Sequence, residues 1–211
     1  MPEATEKRLN KRQFLSVGIT GLMGSGKSTV LEFFRRSGYP GINMDMIGHQ
    51  CLTLSTIRER IRKSISNEIF DENGQISRKK LGCIVFSDPD KLQTLNAIMH
   101  PEMNRMAREW ITEKYHEGFR LVFLEAAILF RMRMDEYLDQ IIFVDSQEND
   151  IIKRIKQRDK MDERSIRNRI KHQKANKEKA DYVLHNSNDR KDLFLDCRNI
   201  EKNLLRKIRS L

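Results

Sequence analysis

Phe14 to Thr20 (FLSVGIT) runs straight into Gly21-Leu22-Met23-Gly24-Ser25-Gly26-Lys27-Ser28, and the chain continues as TVLEFFRRSG to Gly38. The first stretch is short, β-rich and bounded by glycine, which reads as a strand. From Lys27 the apolar positions fall at helical spacing until Gly38 stops them. The eight residues between match GxxxxGK[ST] without a gap, in the strand-before, helix-after setting that the motif's mechanism demands. Glycines there let successive backbone N–H groups turn inward around phosphates, and the helix N-terminus adds positive dipole. Lys27 is then expected to reach the β- and γ-phosphates, and Ser28 to ligate Mg²⁺. Gly21, Met23, Gly24, Ser25, Gly26 and Thr29 complete the expected nucleotide-binding stretch. A chance match in a chain this long is on the order of one in a hundred, so a plain glycine turn is the weaker reading.

Outward from the loop, Gly41 to Asp45 (GINMD), Leu121 to Ala127 (LVFLEAA), Gln140 to Val144 (QIIFV) and Tyr182 to His185 (YVLH) read as four more strands. They are apolar on both alternations, which suits a parallel sheet covered on both faces. The stretch between the second and third strands reads mostly as helix. Ile57 to Phe70 has helical spacing, Asp71-Glu72-Asn73-Gly74 is a turn, and Ser77 can cap a helix running toward Phe86. Ser87-Asp88-Pro89 opens another helix toward His100-Pro101, where Pro101 restricts the residue before it. Asp145 to Lys174 reads as basic helix, and Asp189 to Leu211 as a closing amphipathic helix. The expected organisation is a lead-in over 1–13 and one α/β domain over 14–211. Within the domain lie a helical substrate-binding insertion at about 52–118 and a basic lid at about 154–178.

The chain has 211 residues with 40 Lys+Arg, 30 Asp+Glu, 38% hydrophobic residues and 4 prolines, which excludes a disordered polymer. Its longest apolar run, Ala126 to Phe130, is far short of the roughly 20 residues of a membrane-spanning helix, so no membrane partner is expected. Met1 to Gln13 is polar without an apolar core, and Cys51, Cys83 and Cys197 form no CxxC pair; the expected setting is the cytoplasm, without disulfides or zinc. Residues 1–150 carry 21 basic and 21 acidic side chains, and the last 61 carry 19 and 9, so the whole net charge of +10 lies there. That skew fits either solvated helix faces or an anionic partner.

The loop motif alone leaves GTPases, ATPases and small-molecule kinases open. Asn176-Lys177-Glu178-Lys179 lacks the aspartate of a guanine-reading NKxD, which weakens the first branch. Taken in order, GITGLMGSGKSTV (18–30), INMDMIGH (42–49), IFDENGQISRKKLGCIVF (69–86), LNAIMHP (95–101), VFLEAAILF (122–130), IIFVD (141–145), RIKQRD (154–159) and ADYVLHN (180–186) resemble the dephospho-CoA kinase family over about residues 14–195. The resemblance implies a P-loop kinase with a five-stranded parallel core, a helical CoA-binding subdomain and a lid. It implies transfer of the ATP γ-phosphate to the ribose 3′-hydroxyl of dephospho-CoA, with Mg²⁺ as cofactor.

An acceptor hydroxyl needs a carboxylate near it, and Asp45, ending the second expected strand, matches the family's proposed base. Its alternative is a cap for a helix beginning at Met46. Glu125 ends the third strand near the same edge, as a ligand to Mg²⁺-bound water or as a structural carboxylate. Arg154 and Arg158 match the family's RxxxR: the first is expected by the adenine or α-phosphate, the second over the γ-phosphate, against a solvated basic face. Arg164, Arg167 and Arg169 read as solvated. Arg78 and His100 match family positions for the acceptor, and Asn186 is placed for adenine or for an Asx-turn. His49, His116, His172 and His185 show no metal-ligand spacing. The chain departs from the family at Asn43, where an aspartate is usual, and at Ala127-Ile128-Leu129-Phe130-Arg131, where PLLFE is common.

The competing readings are another small-molecule or nucleotide kinase on the same fold, and an ATP-switched nucleic-acid-binding regulator. Aromatic residues at 7% offer few stacking platforms for the latter, so a nucleic-acid partner is not expected. Oligomeric state is not legible in the sequence.

Overall fold

The computed structural model describes residues 13–210 apart from 172, 174, 175 and 188. The expected lead-in therefore lies outside the described residues except for Gln13. Five strands form one sheet: β1 (Leu15–Thr20), β2 (Gly41–Asn43), β3 (Leu121–Glu125), β4 (Gln140–Asp145) and β5 (Tyr182–His185), in the order β2-β3-β1-β4-β5. β1 pairs in parallel with β3 (Leu15 opposite Leu121) and with β4 (Val17 opposite Gln140), and β4 pairs in parallel with β5. The central strands β1 and β3 are buried along their whole length, as continuous apolar runs in a doubly covered parallel sheet require.

Eight α-helices are found among the described residues: α1 (Lys27–Arg36), α2 (Met44–Cys51), α3 (Ser55–Ser64), α4 (Arg78–Phe86), α5 (Pro89–His116), α6 (Glu148–Asp159), α7 (Glu163–Lys171) and α8 (Arg190–Ser210). The chain divides into two compact units: the sheet unit, which ends at Ile42 and resumes at Ile111, and a helical unit over Asn43–Trp110. The helical unit thus takes in α2, ahead of the insertion expected from residue 52. In the sheet unit α1 and α8 cover one face through Val30, Leu31, Phe34, Leu193, Cys197 and Leu204, and Phe34 stacks on Phe123 with ring centroids 3.8 Å apart. The helical unit has its own core, in which Cys51, Ile57, Ile61, Ile69, Leu81 and Met99 meet.

Several local expectations are corrected. The second strand stops at Asn43 because the Asn43 carboxamide accepts the Asp45 N–H at 2.6 Å and caps α2, which begins at Met44. The cap that was the alternative reading of Asp45 therefore belongs to Asn43. Helix does not continue from Ile57 to Phe70: α3 ends at Ser64, and the Asp71 carboxylate takes the N–H groups of Asn73 and Gln75 at 3.0 and 2.9 Å, closing a turn between Phe70 and Ile76. α5 is not ended by Pro101 but carries it inside the helix. Asp88 starts that helix, accepting from the N–H groups of Asp90 and Lys91 at 3.0 and 3.1 Å. The basic segment expected as one helix is two, broken where Lys160 takes a left-handed conformation with φ 52°.

Candidate active site

Burial dictates the shape of the phosphate-binding loop before any ligand is considered. Gly21 (φ 145°) and Gly26 (φ 105°) have backbone angles that other residues rarely adopt. A Cβ at Gly21 would strike the Val144 carbonyl, and one at Gly26 would strike the Asn186 amide nitrogen. The loop is thus pressed between the ends of β4 and β5, and Gly26 becomes the residue from which α1 starts. Lys27, 7% exposed, folds its Nζ back to donate to the Leu22 carbonyl at 2.9 Å, so its ammonium hangs over the loop's mouth. The Ser28 hydroxyl donates to the Glu125 carboxylate at 3.0 Å. Glu125 is 5% exposed, so the Ser28–Glu125 pair holds two oxygen ligands beside the first turn of α1.

The other edge of the loop is clamped by residues from two further segments. Arg154 on α6 sends Nη1 to the carbonyls of Gly24 (3.1 Å) and Ser25 (3.3 Å) and to the Ser146 hydroxyl (3.1 Å), and Nη2 to the Asn186 carbonyl (3.2 Å). Asn186, just past β5, donates its Nδ2–H to the Ser25 carbonyl at 2.8 Å. Burial pulls the Arg154 guanidinium below its ordinary pKa, yet it is still a cation at any physiological pH. Asn186, expected at the adenine or in an Asx-turn, gives one amide N–H to the loop backbone. A cleft of about 250 Å³ lies against this clamp, lined by Gly26, Thr29, Arg154, Asn186, Arg190 and Leu193.

Arg158 is exposed and makes a two-point ion pair with Asp159 at 2.7 and 2.8 Å, which holds the Asp159 carboxyl below its usual range. Of the three downstream arginines expected to be solvated, Arg167 pairs with Glu163 at 2.9 Å and Glu148 at 2.5 Å. In the helical unit, Asp45 is exposed in the first turn of α2, and the Arg78 guanidinium lies 2.5 Å from Nε2 of His49. His100 sits mid-way along α5, half-buried. Cys51 and Cys197 are buried and Cys83 is exposed, all as free thiols.

Two contributors carry no motif. Ser146 holds the Arg154 guanidinium and donates to the Asn186 carbonyl at 2.8 Å, and Gln173 accepts the Met23 N–H at 2.9 Å. Their only sequence signal is place, just past the fourth strand for Ser146 and inside the expected lid for Gln173.

A family profile described as Dephospho-CoA kinase matches residues 15–192 of this chain. A protein named Dephospho-CoA kinase in Fusobacterium nucleatum is 34% identical over 181 residues, covering 84% of this chain and 92% of the relative. One of the same name in Oryza sativa is 35% identical over 175 residues, 81% of this chain and 76% of the relative. Among solved structures, a dephospho-CoA kinase from Campylobacter jejuni superposes with a TM-score of 0.69 at 25% identity, over 91% of this chain and 98% of that one.

Proposed function

The chain belongs to the dephospho-CoA kinase family, and on that premise we propose that it moves the γ-phosphate of ATP to the ribose 3′-hydroxyl of dephospho-CoA, giving CoA and ADP. The observation that carries this reading is the loop itself: glycines at positive φ, a buried lysine over its mouth, and a hydroxyl–carboxylate pair at its helix end.

The loop amides and the N-terminus of α1 receive the β- and γ-phosphates, with Lys27 as their counter-charge. ATP's base side takes the cleft by Gly26, Thr29 and Asn186. Asp45 takes the proton of the acceptor hydroxyl as that oxygen attacks the γ-phosphorus, and the bond to the bridging oxygen breaks to release ADP. Arg158 closes over the transferring group. Its present partner is an exposed neighbouring carboxylate, a weak tie that a polyphosphate outcompetes. Arg154 holds the loop's backbone in shape while its charge lies near the phosphates. Arg78 and His100 are assigned to the acceptor.

Ser28 and Glu125 fit Mg²⁺, since hydroxyl and carboxylate oxygens are the hard ligands it prefers. No cluster of three or more His, Cys, Asp or Glu able to hold a metal occurs among the described residues, which suits an ion carried chiefly by the nucleotide's phosphates. When bound, the ion supplies neutralisation of charge on the transferring group. No helix among the described residues is long and apolar enough to cross a membrane. Three free thiols support a reducing, cytoplasmic setting.

The test is ADP release by purified protein with ATP, Mg²⁺ and dephospho-CoA, beside Lys27→Ala, Asp45→Asn and a no-acceptor control. Turnover that requires dephospho-CoA and collapses in both variants is expected. Acceptor-independent hydrolysis alone in the wild type would overturn the proposal.

A further inference from the structure

Of the clefts that touch the phosphate loop within the sheet unit, two lie toward opposite ends of the motif, and a further one of about 590 Å³ opens beside Ser28 between α1 and α8. Of the opposed two, one meets Gly26 and Thr29 at the helix end. The other, of about 550 Å³, meets Gly21 and Leu22 at the strand end and is walled by Ala127 to Arg131 with Gln173. Lys27 shows which end faces the γ-phosphate, because its Nζ is bonded to the Leu22 carbonyl, on the wall of the second cleft. The nucleotide's base side thus belongs to the first cleft and the phosphoryl acceptor to the second.

The second cleft is chemically two-faced. Leu22, Phe130 and Ile128, the last 39% exposed, give it an apolar side. Among the described residues its lining holds no carboxylate, and its one formal charge is the Arg131 guanidinium. Arg131 is exposed and makes no hydrogen bond or ion pair among the described residues, whereas Arg133, two residues on, is tied to Glu136 at 2.7 Å. A second cation stands close by, Nζ of Lys179 lying 5.7 Å from the centre of the Phe130 ring. An uncommitted guanidinium beside apolar wall suits a ligand that joins an anionic group to a less polar arm, and a guanidinium binds phosphate oxygens in bidentate fashion.

We infer that Arg131 is a specificity-determining residue for the acceptor, holding the diphosphate of dephospho-CoA while the neighbouring apolar wall receives its pantetheine arm. The assignment rests on the kinase reading above.

The test is steady-state kinetics of Arg131→Ala, Arg131→Glu and Arg131→Lys, with each substrate varied in turn. A lost charge-assisted contact is expected to raise KM for dephospho-CoA about ten- to a hundredfold in Arg131→Ala, with a larger rise in Arg131→Glu. Arg131→Lys is expected to recover much of the loss, and KM for ATP and kcat stay within about twofold of wild type. Exposure of the side chain makes a folding failure unexpected, and a thermal melt of each variant checks that. A dephospho-CoA KM unchanged in both Ala and Glu variants would overturn the assignment, as would an equal rise in the KM for ATP. Wild-type protein that never turns over dephospho-CoA would strike the kinase reading itself, a result distinct from either.

Discussion

If Arg154 acts chiefly as a clamp on the phosphate loop, Arg154→Lys should damage the protein before any nucleotide is present. Among the described residues the guanidinium reaches four acceptors at 3.1 to 3.3 Å: two loop carbonyls, the Ser146 hydroxyl and the Asn186 carbonyl. A lysine ammonium keeps the charge but has one nitrogen, and can satisfy one or two of these. All four bonds sit at the long end of the N–H···O range, so each is nearer a neutral contact, about 0.5–1 kcal/mol, than a short charge-assisted one. With two or three lost from a half-exposed site, and with non-additivity among neighbours, the cost is about 2 kcal/mol. For a chain of this size that lowers Tm by about 4–8 °C. The assay is a thermal melt of ligand-free Arg154→Lys beside wild type, followed by the KM for ATP, which should rise as the loop loosens. A ligand-free melt within about 1 °C of wild type, with only the KM for ATP changed, would refute the clamp and return Arg154 to a nucleotide contact alone.

Glu125→Gln keeps the shape of the Ser28 partner and removes its charge; half-saturation by Mg²⁺ should shift upward about ten- to a hundredfold in a titration at fixed ATP, and an unshifted curve would count against the metal role. Gly26→Ala forces a methyl into Asn186 at a φ of 105°. It should weaken binding of a fluorescent ATP analogue and lower Tm, and wild-type affinity would show that the loop adapts. Burial pushes the Cys51 and Cys197 thiols up to about 11 and about 12 from an ordinary 9.0. Only Cys83 should therefore react with a thiol reagent in the native protein at pH 8, and all three after denaturation; fast labelling of two or more in the native state would contradict the packing. The same upward shifts leave this part of the stability intact below pH 9 and erode it as pH rises toward 11–12. The urea midpoint should accordingly fall between pH 8 and pH 10.

The features legible in the sequence are those whose cause is local. Gly21 to Ser28 could be read directly because positive φ, inward-turned amides and a helix start are demands on the residues themselves. Strands β1, β3 and β4 were legible because burial on both faces leaves an unbroken apolar run, and β5, where only Leu184 is buried, from the shorter apolar run Tyr182 to Leu184. Reading failed where a side chain captured the backbone. Asn43 ended a strand early by capping a helix, and Asp71 folded a turn into what looked like helical spacing. Pro101 failed in the opposite direction: a proline can sit within a long helix when packing on either side holds it, and the core beside Met99 and Ile98 does that.

The site divides along the same line. Lys27 and Ser28 sit at the loop where the motif writes them, so the motif locates them. Arg154 and Asn186 are 32 residues apart yet meet at one carbonyl, and both reach the loop more than a hundred residues upstream. Their bonds to it exist only because β1, β4 and β5 lie side by side and bring the ends of β4 and β5 onto Gly21 and Gly26. The sequence marks such residues as polar and near a strand end, but it does not say whether their donors face a ligand or the loop. Donor count decides it here. The Arg154 fork meets four acceptors among the described residues, and the Asn186 amide meets a loop carbonyl at 2.8 Å. A cation so committed is tied to the loop's backbone before any ligand arrives, whereas Arg158 has only an exposed neighbouring carboxylate and Arg131 has no partner among the described residues, which leaves their donors open to the substrate roles proposed above.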